Sequence, residues 1–446
     1  MKHYFIGILW CILVISSSHS FAQNPIIKNL YTADPSARVF NGRVYLFPSH
    51  DVANMGKGRE NWFCMEDYHV FSSENLTEWT DHGVIVHQKD VPWTNPESYS
   101  MWAPDCIYRN GKYYFYFPTI NKNNTAQRSF GVGVAIADAP EGPYSIMEQP
   151  IKGVHGIDPN VFIDKDNQAY LYWSSRDIFV AKLKDNMVEL DSDPITIANL
   201  PTKGLKEGPY FFERNGLYYL TYPHVENNIE RLEYAIGKTP TGPFEVKGVI
   251  MDESPTGCWT NHHSIIEYNN QWYLFYHHND YSPDFDKNRS ARIDSLFFKE
   301  DGSIVKVKPT LRGVGISKAS ENLQIDRYSD ISKSGVSIDF IDTNNTFKGW
   351  KAQLLSKDAW IKYNSVAFDI ENLSKVIVNA QSAVGGIIEI RLDNPQGKVI
   401  ASINIPANKE WKIYEAPLAI IPKEREDLVI LLKSNREVEI DWIKFK

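Results

Sequence analysis

The chain has 446 residues, of which 43% are hydrophobic and 13% aromatic, so it can bury a large core and has the length of two or three domains. Its formal net charge of −8 and its pI near 5.9 argue against nucleic-acid binding, which depends on a basic surface. After the N-terminus, no apolar stretch is long enough to predict a transmembrane helix.

The first 22 residues predict a secretory signal peptide, with Lys2 as the charged start, residues 4–15 as the apolar run and Ser20–Ala22 as the cleavage site. We therefore expect a secreted or periplasmic protein. Three cysteines follow, namely Cys64, Cys106 and Cys258. Their odd number and wide spacing predict buried thiols rather than a disulfide framework or a metal site, although one bridge stays open.

Five stretches of the chain share one plan, in which a strand is followed by a tight turn and by a second strand rich in aromatic residues. In three of them the turn is Asn-Gly, the strongest short-range signal for a β-hairpin. The stretches cover residues 34–47, 102–116, 158–173, 206–222 and 262–276. A β-rich repeat of roughly 40–60 residues is typical of a propeller with one blade per repeat. The sequence therefore predicts a five-bladed β-propeller over residues 23–318.

One position recurs at the start of each first strand, 11 or 12 residues before a Tyr of the second strand. The residues there are Asp34, Trp102, Asp158, Glu207 and His262, at intervals of 68, 56, 49 and 55 residues. Because blades are arranged radially, equivalent positions on the innermost strands converge on the central axis. Turn capping would explain an Asp-Pro pair but not a Trp or a His. We expect these five "inner positions" to form one ring.

From about residue 325 the aromatic hairpins give way to short alternating strands, for example at 366–370, 387–392 and 399–405. Such strands, separated by turn signals, predict a jelly-roll-like β-sandwich over residues 325–446. The connecting segment, residues 317–323, is short, so the two domains should pack together. In the first repeat, a polar insertion at residues 49–67 is expected to be a solvated surface loop, although its Trp62 is placed to line a cleft.

Three carboxylates that converge at the mouth of a propeller suit glycoside hydrolysis. One must be a protonated acid near neutral pH while another is an ionised base, so their surroundings must separate their pKa values. An inverting mechanism needs about 6.5–9.5 Å between them, so that a water molecule fits. Trp102 would offer an aromatic wall for the apolar face of a sugar.

The triad Asp34, Asp158 and Glu207, in Ala-Asp-Pro, Ile-Asp-Pro and Lys-Glu-Gly-Pro, resembles that of glycoside hydrolase family 43, as do the Trp102 and His262 segments. The resemblance covers about residues 28–316. It implies a five-bladed propeller, inversion of configuration and a plant-polysaccharide substrate. It also implies Asp34 as general base, Glu207 as general acid, and Asp158 as the group that orients the acid and raises its pKa.

The same resemblance implies that His262 helps to hold a calcium ion, together with waters, in the central channel. Calcium prefers oxygen ligands, so a hydrogen-bonded core histidine is an equal alternative, and the adjacent His263 is a second candidate. Arg292 follows the fifth hairpin and is a candidate for substrate binding, with a surface salt bridge as the alternative. Propellers that cleave fructosides typically carry Arg-Asp-Pro and Glu-Cys motifs, and this chain does not match them.

The C-terminal sandwich resembles carbohydrate-binding module family 6 at residues 358–363, 385–393, 409–411 and 440–445. The resemblance implies that Trp411 stacks on a sugar. Glu439 stands where that family has a binding Asn, so a sugar-binding module and a purely structural sandwich both stay open.

The leading hypothesis is a secreted, exo-acting α-L-arabinofuranosidase or β-xylosidase whose partner is an arabinose- or xylose-containing plant polysaccharide. One alternative is an endo-arabinanase or another furanosidase or galactosidase of the same fold, and an endo enzyme would need an open groove. A sugar-binding propeller without catalysis is the second alternative, although a lectin has no need of a separated acid and base.

Overall fold

The computed structural model describes residues 24–52, 61–123, 130–315, 317–344 and 348–446, and the predicted signal peptide lies outside them. Within these residues the regular elements are β-strands and a 3-10 turn at Gln88–Asp90. No helix in the described ranges is long and apolar enough to cross a membrane.

The N-terminal domain contains five antiparallel sheets that follow one another along the chain, each with sequential strand order. Blade 1 has β1 (Tyr31–Phe40), β2 (Arg43–Asp51), β3 (Asp67–Ser73) and β4 (Thr80–His87). Blade 2 has β5 (Asp105–Arg109), β6 (Lys112–Ile120), β7 (Phe130–Ala137) and β8 (Ser145–Ile146). Blade 3 has β9 (Ile157–Ile163), β10 (Ala169–Ser175), β11 (Asp177–Leu183) and β12 (Ile195–Thr196). Blade 4 has β13 (Tyr210–Arg214), β14 (Leu217–Val225), β15 (Glu230–Gly237) and β16 (Phe244–Met251), and blade 5 has β17 (His263–Tyr268), β18 (Gln271–His278) and β19 (Ser290–Leu296).

The Asn-Gly turns have the backbone that the sequence predicts. In blade 1, φ is 51° at Asn41 and 75° at Gly42, and the pairs in blades 2 and 4 have the same two positive values within a few degrees. Two consecutive residues with positive φ are the requirement of a type I′ turn, whose twist matches that of the flanking strands. The five predicted hairpins are the first two strands of the five blades.

Hydrogen bonds join the innermost strands of neighbouring blades. Asp105 of β5 accepts from Ser36 Oγ at 2.7 Å and from Arg38 Nε at 2.9 Å, both in blade 1, and from Val161 N at 2.7 Å in blade 3. Further round the ring, Phe211 N donates to Asn160 Oδ1 at 2.9 Å, Thr221 Oγ1 of the second strand of blade 4 lies 2.6 Å from His263 Nε2, and Ala37 N donates to Ser264 Oγ at 2.9 Å. Buried polar groups need such partners, and here the partners fix the angle between blades.

The C-terminal domain is a sandwich of one mixed sheet, in which β20 and β25 pair in parallel, and one antiparallel sheet. One contains β20 (Ser317–Lys318), β22 (Asp330–Ile331), β25 (Trp360–Ala367), β27 (Gly386–Leu392), β28 (Val399–Ile405) and β30 (Arg425–Leu432). The other contains β21 (Leu323–Gln324), β23 (Val336–Phe340), β24 (Trp350–Leu354), β26 (Lys375–Ser382), β29 (Asn408–Pro417) and β31 (Val438–Phe445). The inward-facing aliphatic residues of both sheets form one core.

Two short strands follow the propeller and pair with strands of the sandwich. Ser317 and Lys318 pair in parallel with Val366 and Ala367, and Leu323 pairs with Ile443, so β20 and β21 belong to the sandwich sheets. The short alternating pattern does not distinguish a linker from a two-residue edge strand. The prediction of buried thiols is confirmed, since Cys64, Cys106 and Cys258 are all buried and outside any disulfide.

Candidate active site

The five inner positions meet at one end of the propeller axis. Asp34, Trp102, Asp158, Glu207 and His262 all line a cavity of about 210 Å³. The remaining lining residues are Trp62, Phe63, Met65, Ala103, Ile157, Leu205, Trp259, Thr260 and Arg289. The sequence prediction of a single ring agrees with this arrangement. In the insertion at residues 49–67, residues 53–60 lie outside the described part of the chain. Trp62 and Phe63 form part of the cavity wall, so the insertion is not a solvated surface loop throughout.

Two of the three carboxylates stand on a strained backbone. Asp34 has φ of 46° and Asp158 has φ of 56°, and beside each of them the pairing of the first and second strands shifts register. A positive φ is uncommon outside glycine and is retained mostly where the surroundings enforce it. The matching irregularity in blades 1 and 3 turns both side chains towards the axis.

Asp34 lies in a set of donors that favour its ionised form. Ser49 Oγ donates to Oδ2 at 2.8 Å and Arg289 Nη1 donates to Oδ1 at 2.8 Å. The backbone N–H of Asp34 donates to His277 Nδ1 at 3.0 Å, so the ring proton of His277 is on Nε2, which faces Thr260 Oγ1 at 2.9 Å. Burial by itself would raise the pKa of Asp34, but Arg289, His277 and the other neighbours together lower it below its usual value.

Arg289 is itself fixed by a second carboxylate. Its Nε and Nη2 donate to the two oxygens of Asp51 at 2.9 Å each, and its guanidinium lies 4.7 Å from the centre of the Phe63 ring. Arg289 and Asp51 are both almost fully buried. A bidentate pair of this kind holds the guanidinium in one orientation, which leaves Nη1 directed at Asp34.

Asp158 and Glu207 have the opposite electrostatic character. Burial raises the pKa of Asp158 well above its usual value, and the negative charges of Glu207 and Asp34 raise it further. Burial also raises the pKa of Glu207, and Asp34 adds to the rise, while a hydrogen bond with Glu230 acts against it. Asp158 Oδ2 accepts from the backbone N–H of Gly208 at 3.0 Å and so holds the residue that follows Glu207.

Glu230 is a fourth carboxyl group at this site. It is 1% exposed and its Oε2 accepts from the backbone N–H of Asn261 at 2.7 Å. Burial raises its pKa well above the usual value, and the contact with Glu207 raises it further. Ionisation of Glu230 is therefore disfavoured by its burial and by the neighbouring charge of Glu207.

The walls of the cavity are aromatic. The Trp102 ring lies 4.7 Å from that of Phe130 and 6.0 Å from that of Phe63, measured between ring centres. Its indole N–H is buried and has no hydrogen-bond partner within the described ranges. The cavity therefore presents aromatic faces on which the apolar face of a sugar ring can pack.

His262 lines the cavity, and a Cβ added to Gly208 would lie 2.9 Å from its Nδ1. Calcium takes six to eight oxygen ligands. No group of three or more potential ligands that the described residues bring together includes His262, and His263 is engaged with Thr221. Among the described residues, protein ligands alone therefore do not complete a calcium site, and an ion held by His262 together with waters stays a prediction.

Arg292 lies outside the cavity. It is 4% exposed, and its guanidinium contacts Asp280 at 3.2 Å, His278 Nδ1 at 2.8 Å and the carbonyl of Thr310 at 2.8 Å. Its salt bridge is thus buried rather than on the surface. The arginine at the cavity is Arg289, directly before β19, whereas Arg292 lies inside that strand.

Trp411 lies far from this cavity in the sequence, on β29, and is partly exposed. Glu439 accepts from Lys351 Nζ at 3.0 Å, from Gln353 Nε2 at 2.8 Å and from Gln381 Nε2. Burial would raise the pKa of Glu439, but these donors lower it. Three side-chain donors therefore satisfy and orient the Glu439 carboxylate.

Sequence reasoning missed Ser49, Asp51, Glu230 and Arg289. All four lie near the end of a second strand or at the start of a third strand. In an antiparallel blade those points lie at the same end as the start of the first strand. Counting forward from each hairpin to the next strand would have indicated them.

Comparisons with known proteins agree with this geometry. A family model described as "Glycosyl hydrolases family 43" matches residues 22–304, and one described as "Carbohydrate binding module (family 6)" matches residues 329–446. A curated relative from Humicola insolens, "Xylosidase/arabinosidase 43A", is 37% identical over 64% of this chain and 99% of its own length.

Solved structures support the same assignment. A crystal structure of a "GH43 beta-xylosidase/alpha-arabinofuranosidase from a compost microbial metagenome in complex with xylotriose, calcium-free form" is 33% identical, with a TM-score of 0.58 over 65% of this chain and 98% of the other. An arabinoxylan arabinofuranohydrolase from Bacillus subtilis, 24% identical with a TM-score of 0.53, covers 95% of this chain and 97% of its own. That second likeness shows the fold alone, and it extends over both domains.

Proposed function

The chain belongs to glycosyl hydrolase family 43, and from that premise we propose that it is a secreted, inverting, exo-acting β-xylosidase or α-L-arabinofuranosidase. It releases single sugar units from xylose- or arabinose-containing plant polysaccharides or oligosaccharides. The observation that carries this proposal is one small cavity in which Asp34 has a lowered pKa while Asp158 and Glu207 have raised ones. An acid and a base held apart in this way are what glycoside hydrolysis needs.

In this mechanism Asp34 is the general base. Arg289 and Ser49 keep it ionised and oriented, so it accepts a proton from the water that attacks the anomeric carbon. Glu207 is the general acid and donates its proton to the oxygen of the departing sugar. Asp158 positions the acid through its contact with the Gly208 N–H, while burial and the charge of Asp34 raise the pKa of Glu207. Inversion follows because water, rather than a carboxylate, attacks the sugar.

The size of the cavity favours exo action. At about 210 Å³ it is smaller than the roughly 300–1,000 Å³ of pockets that hold drug-sized ligands, so it suits one sugar ring better than a long chain. Trp62 and Trp259 in its wall also support a closed pocket over the open groove of an endo-arabinanase. The names of the Humicola and metagenome enzymes support xylose and arabinose as the sugars.

We expect activity on both aryl β-D-xylopyranoside and aryl α-L-arabinofuranoside, with little on debranched arabinan. A panel of aryl glycosides and linear polysaccharides measures this. Proton NMR during the first minutes of xyloside hydrolysis should show the α-anomer of xylose first, because inversion converts the β-linkage. An initial β-anomer would contradict the mechanism, and rapid depolymerisation of arabinan would favour the endo alternative.

We also propose that the sandwich binds polysaccharide through Trp411. Stacking of an aromatic ring contributes about 0.5–1.5 kcal/mol, so Trp411→Ala should weaken retention on insoluble arabinoxylan roughly 3–10-fold. Activity on small aryl glycosides should stay unchanged, because Trp411 lies outside the catalytic cavity. Ile413→Ala is the matched control, since Ile413 is 65% exposed on the same strand. Equal retention of both variants and the parent protein would indicate a structural sandwich.

A further inference from the structure

Blade 1 carries a cluster of metal-ligating side chains that the hydrolytic mechanism does not use. His50 is near the end of β2, and Asp67 and His69 are the first and third residues of β3. One ligand atom from each of the three lies within 4.8 Å of the others, and the described part of the chain contains no other group of this kind. Residues two apart in a strand share one face, so Asp67 and His69 point the same way, towards His50.

The contacts within the cluster orient its ligand atoms. His50 Nδ1 lies 2.7 Å from Asp67 Oδ1, and the rings of His50 and His69 are 5.1 Å apart, edge to face. His69 Nδ1 lies 3.0 Å from Asp81 Oδ1 and 3.2 Å from Oδ2. A carboxylate at Nδ1 holds the proton there and leaves the lone pair on Nε2. This is the arrangement in which a second carboxylate supports a metal-bound histidine.

The chemistry of these groups selects the ion. Two imidazole nitrogens and one carboxylate oxygen suit zinc and similar divalent transition metals, whereas calcium and magnesium prefer oxygen alone. Tetrahedral zinc, with bonds of about 2.0–2.2 Å, places neighbouring ligand atoms roughly 3.4 Å apart. Small side-chain rotations would therefore close this set on an ion. The side chains are 15%, 10% and 14% exposed, so an ion can reach them from solvent.

We propose that His50, Asp67 and His69 form a binding site for a divalent transition-metal ion, with Asp81 as the outer support of His69. Three protein ligands leave a fourth position for water. The ion would tie the end of β2 to the start of β3. His50 directly precedes Asp51, which fixes Arg289, so the site adjoins the catalytic cavity without contributing to it. The proposal does not depend on which sugar the enzyme releases.

The test uses the full mature chain without an affinity tag, freed of metal with a chelator and equilibrated with micromolar zinc chloride. We expect one zinc ion per chain by equilibrium dialysis with elemental analysis, and a rise in melting temperature on zinc addition. His50→Gln and His69→Gln should each lose at least tenfold in affinity. Asp81→Asn keeps all three ligands and should lose about 10–100-fold, because the support of His69 is weakened.

His82→Gln is the matched control, since His82 contacts Ser72 Oγ at 2.8 Å in the same blade and is not part of the cluster. It should bind zinc like the parent protein. Melting curves recorded in chelator identify any variant that does not fold. The test requires that His50→Gln or His69→Gln melt, in chelator, at the same temperature as the parent protein. Absence of stoichiometric zinc in the parent protein, or equal zinc binding by a folded ligand variant, would overturn the proposal.

Discussion

Asp34→Asn should depress turnover on every substrate, whereas Glu207→Gln should do so mainly on natural glycosides. A general base activates the attacking water whatever group departs, so its loss is felt uniformly. A general acid matters most when the departing oxygen must gain a proton. Its removal should cost roughly 10²–10⁴-fold on xylo-oligosaccharides and much less on an aryl glycoside whose phenolate leaves without a proton.

The comparison needs steady-state kinetics of both variants on one aryl xyloside and one xylo-oligosaccharide. Asp158→Asn serves as the third variant and should fall between the two. If Glu207→Gln lost equal activity on both substrates while Asp34→Asn lost it only on the oligosaccharide, the two roles would be reversed.

The propeller was predictable because its signals are local. Each Asn-Gly turn and the aromatic strand behind it lie within about 15 residues, and the regular repeat then implies radial symmetry. That symmetry predicts that Asp34, Trp102, Asp158, Glu207 and His262 form one ring. All five line the cavity.

The partners of these residues were not predictable in the same way. Arg289 is 255 residues from Asp34 and 238 from Asp51 in sequence, and its contacts exist only because blade 5 closes against blade 1. The sequence has two arginines near this point, Arg289 and Arg292. Arg289 directly precedes β19 and lines the cavity, whereas Arg292 lies inside that strand, and the sequence alone does not fix where the strand begins. Glu230 carries no motif, and its significance depends on its burial beside Glu207.

We expect substitution of Arg289 to have a second large effect, both on stability and on the reaction, where Arg289 acts through Asp34. Arg289→Met would leave two buried carboxylates, Asp34 and Asp51, without their shared cation. Removal of one partner of a buried ion pair typically costs about 3–5 kcal/mol of stability, and urea unfolding at neutral pH measures this loss. Arg289→Lys is the matched control, because it keeps the charge but cannot form the bidentate contact with Asp51.

The pH dependence gives a readout that a merely structural role of Arg289 would not change. In the parent protein the pKa of Asp34 is lowered, so Asp34 stabilises the fold above its unfolded pKa, and this contribution is lost as pH falls through the folded value. Without Arg289 the burial of Asp34 is no longer offset and its pKa rises. The acidic limb of the kcat/KM profile on an aryl xyloside should therefore move to higher pH in Arg289→Met, and by less in Arg289→Lys. An unchanged acidic limb in a folded Arg289→Met protein would mean that the limb reports another group, and that Arg289 does not keep the general base ionised.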